Sequence, residues 1–257
     1  MQSKDQLDTV FDFLETPKRI VSLVPSQTEL LVDLGLLKQL VGITKFCIHP
    51  KKLLDNVPVV GGTKTVHLDR IKALQPDIII CNKEENTKEL VASCAKIAPV
   101  WVSDIYTIAE SLEMISLLGK LFKKEERALQ IITNIKKEQT SFSAFIANKN
   151  VRKVVYLIWK NPFMAAGQDT FINDLLKINK FENIIKEPRS RYPEINIESL
   201  KEADLILLSS EPFPFKQSHL RGLKEALGKD LRLVDGAYFS WYGSRLQDAF
   251  SYFKSLH

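Results

Sequence analysis

Residues 124–148 read KEERALQIITNIKKEQTSFSAFIAN, and how this stretch folds decides the architecture. It holds no Gly and no Pro. Its apolar residues Leu129, Ile132, Ile135, Phe142, Phe145 and Ile146 are separated mostly by three, four or seven positions, which is the stripe of one helix face. The charges (Lys124, Glu125, Glu126, Arg127, Lys136, Lys137, Glu138) sit mainly off that stripe, as a solvated face requires. At 1.5 Å per residue the helix would run roughly 37 Å, about the length of a small domain. It stands near the middle of a 257-residue chain. Two readings follow from it alone: a long surface helix within one domain, or a rigid spine joining two lobes.

The flanks favour the spine. Upstream, TVFDF (residues 9–13) alternates with period two and predicts a short edge strand. Residues 19–24, RIVSLV, form a continuous apolar run, as a strand covered on both faces in a parallel sheet would. The run leads into Pro25, Ser26, Gln27, Thr28 and Glu29, where the S-x-x-E spacing predicts Ser26 as the cap of a helix. That places a helix amino terminus at the carboxyl edge of a central strand, where open α/β folds bind ligands. Strands then follow at 40–44, 57–62, 78–81 and 99–102, alternating with helices at 67–74, 86–97 and 107–121. This alternation means a parallel, Rossmann-like sheet. No G-x-G-x-x-G follows the first strand, so a dinucleotide is not indicated.

Downstream, residues 153–159 again read as a strand, with a loop at Asn161, Pro162 and Phe163, and a helix capped by Asp169 or Thr170. Glu198 opens a short helix before Asp204 and the run Leu-Ile-Leu-Leu, as Asp69 does before Asp77 and Ile-Ile-Ile. The order of elements recurs across a whole lobe. The expected architecture is therefore α/β, two Rossmann-like lobes with parallel sheets joined by one long helix. The boundaries are an amino-terminal lobe over 1–122, the helix over 123–149 and a carboxyl-terminal lobe over 150–257. Loops at the carboxyl edges would offer Phe46, Phe163, Tyr192, Tyr238, Phe239, Trp241 and Tyr242, with Arg245 close behind. An aromatic-lined cleft suits a large, planar, partly apolar ligand.

Composition narrows the classes. With 45% hydrophobic and 26% charged residues, the chain is not mostly disordered. The excess of 36 basic over 31 acidic residues is spread along the sequence, so no nucleic-acid partner is expected and an anionic ligand is slightly favoured. Cys47, Cys81 and Cys94 form no CxxC spacing and indicate neither disulfides nor zinc. No apolar segment approaches the ~18 residues of a membrane span. The opening MQSKDQLDTVFDF lacks the apolar core of a secretory signal, and no lipid-attachment Cys follows. The expectation from these residues is a cytoplasmic protein if Met1 is the native start.

RIVSLVPSQTELLVDLG, VVGGTKTVHLDRIKALQPDIII, the central helix and NIESLKEADLILL together resemble the substrate-binding proteins of bacterial ABC importers. The class is the one with a single helical backbone, which carries vitamin B12, ferric siderophores or haem. The resemblance runs from Pro17 to the end of the chain. It implies a periplasmic, monomeric protein that is not an enzyme, has no cofactor of its own, and captures a metal chelate for an ABC permease of the inner membrane. The implied ligand is a cobalt corrinoid first, an iron chelate (ferric siderophore or haem) second. By resemblance to the B12-binding members, the contacts map to Pro25, Ser26, Gln27, Thr28, Phe46, Phe163, Tyr192, Tyr238, Phe239, Trp241 and Arg245. Thr63 stands where such a binder has a Trp platform. His49 and His67 are candidate metal ligands, although an exposed histidine is the commoner role. In the same family one acid on each lobe docks into arginine pockets of the permease, and Asp69 and Glu198 occupy those places. A helix dipole explains each acid locally, but not their matched positions. The rival readings are a metal chelatase and a cytoplasmic chelate-binding or sensing protein.

Overall fold

The structure is a computed structural model that describes residues 2–257. The chain divides into two compact units. Unit 1 takes in the residues up to Ile105, Ala109–Lys136 and Tyr242–Gln247, and unit 2 takes in Tyr106–Ile108, Lys137–Trp241 and Asp248–His257.

Unit 1 begins with β1 (Gln2–Lys4) and β2 (Val10–Asp12), then β3 (Ile20–Ser22), α1 (Pro25–Asp33), β4 (Leu40–Thr44), α2 (Leu53–Asn56) and β5 (Val59–Gly61). It continues through α3 (Leu68–Ala73), β6 (Ile78–Asn82), α4 (Lys88–Cys94), β7 (Val100–Ser103) and α5 (Ile108–Leu121). Its main sheet is wholly parallel in the order β5-β4-β3-β6-β7. Val21, Leu23, Ile79, Cys81, Val100 and Val102 line one face of it, closed by Ile71, Leu90 and Cys94. The run 9–13 does form a strand, but it pairs antiparallel with β1 in a separate two-stranded sheet. The buried carboxylate of Asp5 holds that hairpin, accepting from Leu7 and Thr9 backbone N–H at 2.9 and 2.8 Å and from Val102 at 3.1 Å.

α6 (Glu125–Ile146) is the spine, 22 residues long, and it passes from unit 1 to unit 2 after Lys136. Its buried stripe is Ala128, Ile131, Ile135, Phe142 and Ile146. Leu129 and Phe145, expected on the stripe, are 64% and 38% exposed. Helix phase explains the difference, because Ala128 is small enough to escape a count of large apolar residues yet occupies the buried line.

Unit 2 holds β8 (Arg152–Trp159), β9 (Phe163–Ala165), α7 (Phe171–Ile178), β10 (Phe181–Asn183), β11 (Glu194–Ile195), β12 (Leu205–Ser209), α8 (Gln217–Leu227), β13 (Asp230–Val234), α9 (Ala237–Ser240) and, from Asp248 onward, α10 (Leu246–Lys254). Its sheet is mixed, which corrects the expectation of two parallel sheets. β10, β8, β12 and β13 pair in parallel, whereas β9 runs antiparallel to β8 and to β11. Phe163 accordingly opens a strand rather than lying in a loop. Val155, Leu157, Ile206, Leu208 and Leu231 form the core with Leu200 and Leu223.

The repeated Asp has the same mechanical task in both units. Asp77 Oδ2 accepts from Lys18 and Arg19 backbone N–H at 2.7 and 2.9 Å, at the start of β3. Asp204 Oδ2 accepts from Lys153 N–H at 2.8 Å, near the start of β8. Each carboxylate thus sits before one central strand and satisfies the donors that lead into its neighbour. Asp77→Ala is expected to cost about 1–2 kcal/mol in urea unfolding, toward the lower end of the range for hydrogen bonds to charged groups because solvent reaches the site.

Candidate functional site

In unit 1 the chain steps from β3 to β4 to β5 on one side and then to β6 and β7 on the other, so β3 and β6 flank a switch point. α1 starts there. Pro25 is its first residue, Val24 precedes it, and no side chain caps it. Ser26 is therefore inside the helix rather than its cap, because Pro25 presets the backbone and has no N–H to satisfy. Glu29, assigned to the capping box, instead receives Arg245 Nε at 2.9 Å and Nη2 as a second contact.

Gln27 and Thr28 are fully buried. Thr28 Oγ1 lies 2.9 Å from Val24 O, 2.8 Å from Ser22 Oγ and 3.1 Å from Cys47 Sγ. Gln27 Nε2 donates to Ser103 Oγ, which also receives Asn82 Nδ2 at 2.9 Å. Asn86 Oδ1 accepts from Asn82 N–H at 2.9 Å, and its Nδ2 donates to Thr63 O at 2.8 Å. This polar cluster stiffens the sheet edge from within and leaves Gln27 and Thr28 no accessible surface, so the structure assigns both to the interior. Tyr242 is buried beside Ser26 and Gln27. Burial pushes its phenol well above the usual range, Glu85 and Glu84 add to this, and the contacts with Ser26 and Gln27 offset it in part.

Phe46, by contrast, is 49% exposed, in the loop that follows β4. Gly61 takes φ 137°, where a Cβ would meet Thr65 O at 2.6 Å, so the loop carrying Gly62 and Thr63 folds back on β5. Thr63 is half-buried and keeps a free face. His49 is half-buried, and His67 is exposed at the position preceding α3. Among the described residues no group of three or more His, Cys, Asp or Glu side chains could hold a metal ion. The three cysteines are free and buried. Burial raises the Cys47 and Cys81 thiols, and Cys94 is pushed up to about 11, so none is a reactive thiolate.

In unit 2 the aromatic run after β13 is largely core. Phe239 is fully buried, with ring centroids 5.0 Å from Tyr156 and 4.9 Å from Phe253. Trp241 is 8% exposed and donates Nε1 to Glu211 Oε1 at 2.9 Å. Tyr238 stacks on Tyr252 at 4.6 Å and keeps partial exposure. Phe163 and Tyr192 are also half-buried. An open concavity of about 500 Å³ lies at the amino end of α7, bounded by Tyr106, Thr107, Asp169, Asp174, Lys177 and Arg191. Arg191 lies over the Tyr106 ring at 4.6 Å and donates Nε to Asp169 O at 2.7 Å. Thr170, as expected, caps α7, accepting from Asn173 N–H at 3.1 Å. Sequence reading missed Trp159, which ends β8 39% exposed and lies edge-on to Phe213 at 5.6 Å. The signal was its place at a strand's carboxyl end.

The family profile described as Periplasmic binding protein matches residues 20–221. The chain belongs to this family. Its members are binding proteins of transporters, periplasmic or otherwise extracytoplasmic, and not enzymes, which removes the chelatase reading. An uncharacterized ABC transporter substrate-binding lipoprotein YvrC of Bacillus subtilis is 27% identical over 175 residues, 65% of this chain. The match spans 55% of the length of that relative. A vitamin B12-binding protein of Vibrio parahaemolyticus is 22% identical over 187 residues, 72% of this chain and 68% of its own. Among solved structures, a periplasmic heme binding protein from Pseudomonas aeruginosa superposes with a TM-score of 0.80 at 19% identity, covering 93% of this chain and 92% of that one. That likeness establishes the fold of this family for the chain.

Proposed function

We propose that this protein is the solute-binding component of an ABC importer, and that it captures a corrinoid and hands it to a membrane permease outside the cytoplasm. The observation that carries the ligand class is Phe46, a large ring left half in water at the carboxyl edge of a parallel sheet. Full burial of such a ring is worth roughly 2–3 kcal/mol, so its exposure supports a contact with a flat, partly apolar partner. The B12-binding relative, aligned over most of the chain, supports a corrinoid as that partner. On unit 1 the proposed contacts are Pro25, Phe46 and Thr63, and on unit 2 Phe163, Tyr192 and Tyr238, the candidates that keep surface to offer. Capture needs no chemistry, only a preformed surface.

Haem or a ferric siderophore is the second reading. His49, half-buried and three residues from Phe46 in the sequence, favours it because imidazole is a common iron ligand. Calorimetric titration with cyanocobalamin, hemin and a ferric siderophore separates the two. The expected result is tight one-to-one binding of cyanocobalamin, and preference for hemin would install the second reading. Phe46→Ala and Tyr192→Ala are each expected to weaken binding by about 1–3 kcal/mol through lost buried area. An unchanged affinity removes that residue from the contact surface.

A further inference from the structure

We infer that Lys45 selects for ligands that carry an anionic group at their edge, an inference that rests on the corrinoid reading of the Phe46 surface. The exposed face of Phe46 is not bare. Lys45 Nζ stands 5.1 Å from the ring centroid, a cation–π contact. On the neighbouring loop, a Cβ built on Gly62 would lie 3.3 Å from Phe46 Cε2 and 3.7 Å from Lys45 Cε. Ring, ammonium stem and Gly62 therefore form one patch, and Lys45 is anchored there by its backbone N–H, which donates to Gly61 O at 2.8 Å.

Two lysines of the neighbouring loops are engaged. Lys64 Nζ donates to Glu84 O, and Lys83 pairs with Asp104. Among the described residues Lys45 has no carboxylate partner, and its side chain is exposed. A flat ligand that stacks on this face of Phe46 takes the place of the ammonium. A neutral ligand leaves the ammonium to water and forfeits the cation–π contact. A ligand with a phosphate or carboxylate at its rim gives the displaced ammonium a partner within a side-chain length, and the contact is exchanged rather than lost. Lys45 thus penalises uncharged planar ligands and favours anionic ones, while Phe46 supplies area to both.

Two corrinoids test this. Cyanocobalamin carries the phosphodiester of its nucleotide loop, and dicyanocobinamide has the same corrin ring without it. Calorimetry on the wild type, Lys45→Gln and Lys51→Gln is run at low ionic strength and again at about 0.5 M salt. In Lys45→Gln the affinity for cyanocobalamin is expected to fall about 5–10-fold at low salt and less at high salt. Affinity for dicyanocobinamide is expected to hold or rise, since the ring is uncovered. Lys51→Gln removes the same charge from the exposed segment nearby and is expected to change neither. Equal losses for both corrinoids, equal losses in both variants, or no loss in Lys45→Gln each overturn the role of Lys45 while corrinoid binding stands. A wild-type protein that takes up neither corrinoid overturns the corrinoid reading itself, and the role of Lys45 with it.

Discussion

Replacing Asp69 and Glu198 together by arginine is expected to leave ligand affinity unchanged and to abolish stimulation of ATP hydrolysis by the importer. Both acids are exposed, and each lies in the first turn of a short helix, Asp69 in α3 and Glu198 in the 3₁₀ turn Ile197–Glu202. Glu198 meets Lys201 at 2.7 Å, but these side chains are 67% and 56% exposed, and such a pair contributes little. Reversing either charge against the helix dipole costs about 0.3–1 kcal/mol, too little to unfold the protein. Against a permease surface carrying arginine, each reversal exchanges an attraction for a like-charge contact that costs several kcal/mol. Asp69 also borders an open groove of about 630 Å³ on unit 1 with Leu68, Lys72, Ser93 and Lys96, so a partner there meets a recessed rather than flat surface. The double variant is measured by ligand calorimetry and by ATPase stimulation in proteoliposomes bearing the importer. Full stimulation with intact ligand binding would sink the docking role.

The second large effect is structural. Phe142→Ala is expected to lower stability by about 3–5 kcal/mol, through lost transfer energy and the cavity left behind. Phe142 is fully buried on α6, with the rings of Phe250 and Phe253 at 5.9 and 6.0 Å and Phe145 at 6.0 Å. Leu129→Ala on the same helix, at a position 64% exposed, should fall within about 0.5 kcal/mol of wild type. Chemical unfolding of the two variants distinguishes the buried stripe from the exposed side of the spine. Equal losses would mean that the stripe has been assigned to the wrong residues.

Much of the frame was readable beforehand because its physical cause is local. β3, β6, β8 and β12 are buried on both faces, so each had to be written as a continuous apolar run. The acids Asp77 and Asp204 recur because the parallel strand pairs of each sheet, β3 with β6 and β8 with β12, leave strand-entry donors to satisfy. The hairpin of β1 and β2 escaped, since its anchor is Asp5, a polar residue whose burial depends on β7 almost a hundred positions away. The antiparallel β9 and β11 escaped as well, being three and two residues long and too short to show a period.

The candidate site divides along the same line. Pro25, Phe46, Thr63, Phe163, Tyr192 and Tyr238 retain exposed surface, whereas Gln27, Thr28 and Phe239 are closed in. Residue type cannot separate these groups, because a phenylalanine at a loop and one in a core are written alike. By itself the sequence determined the alternation of strand and helix, the spine and the family, since these follow from periodicity and short motifs. Only the tertiary structure decided which aromatic rings face water, that Arg245 is bound to Glu29, and that Lys45 covers Phe46. Those outcomes depend on contacts between residues distant in the chain or on the path of a loop, and no local pattern encodes them.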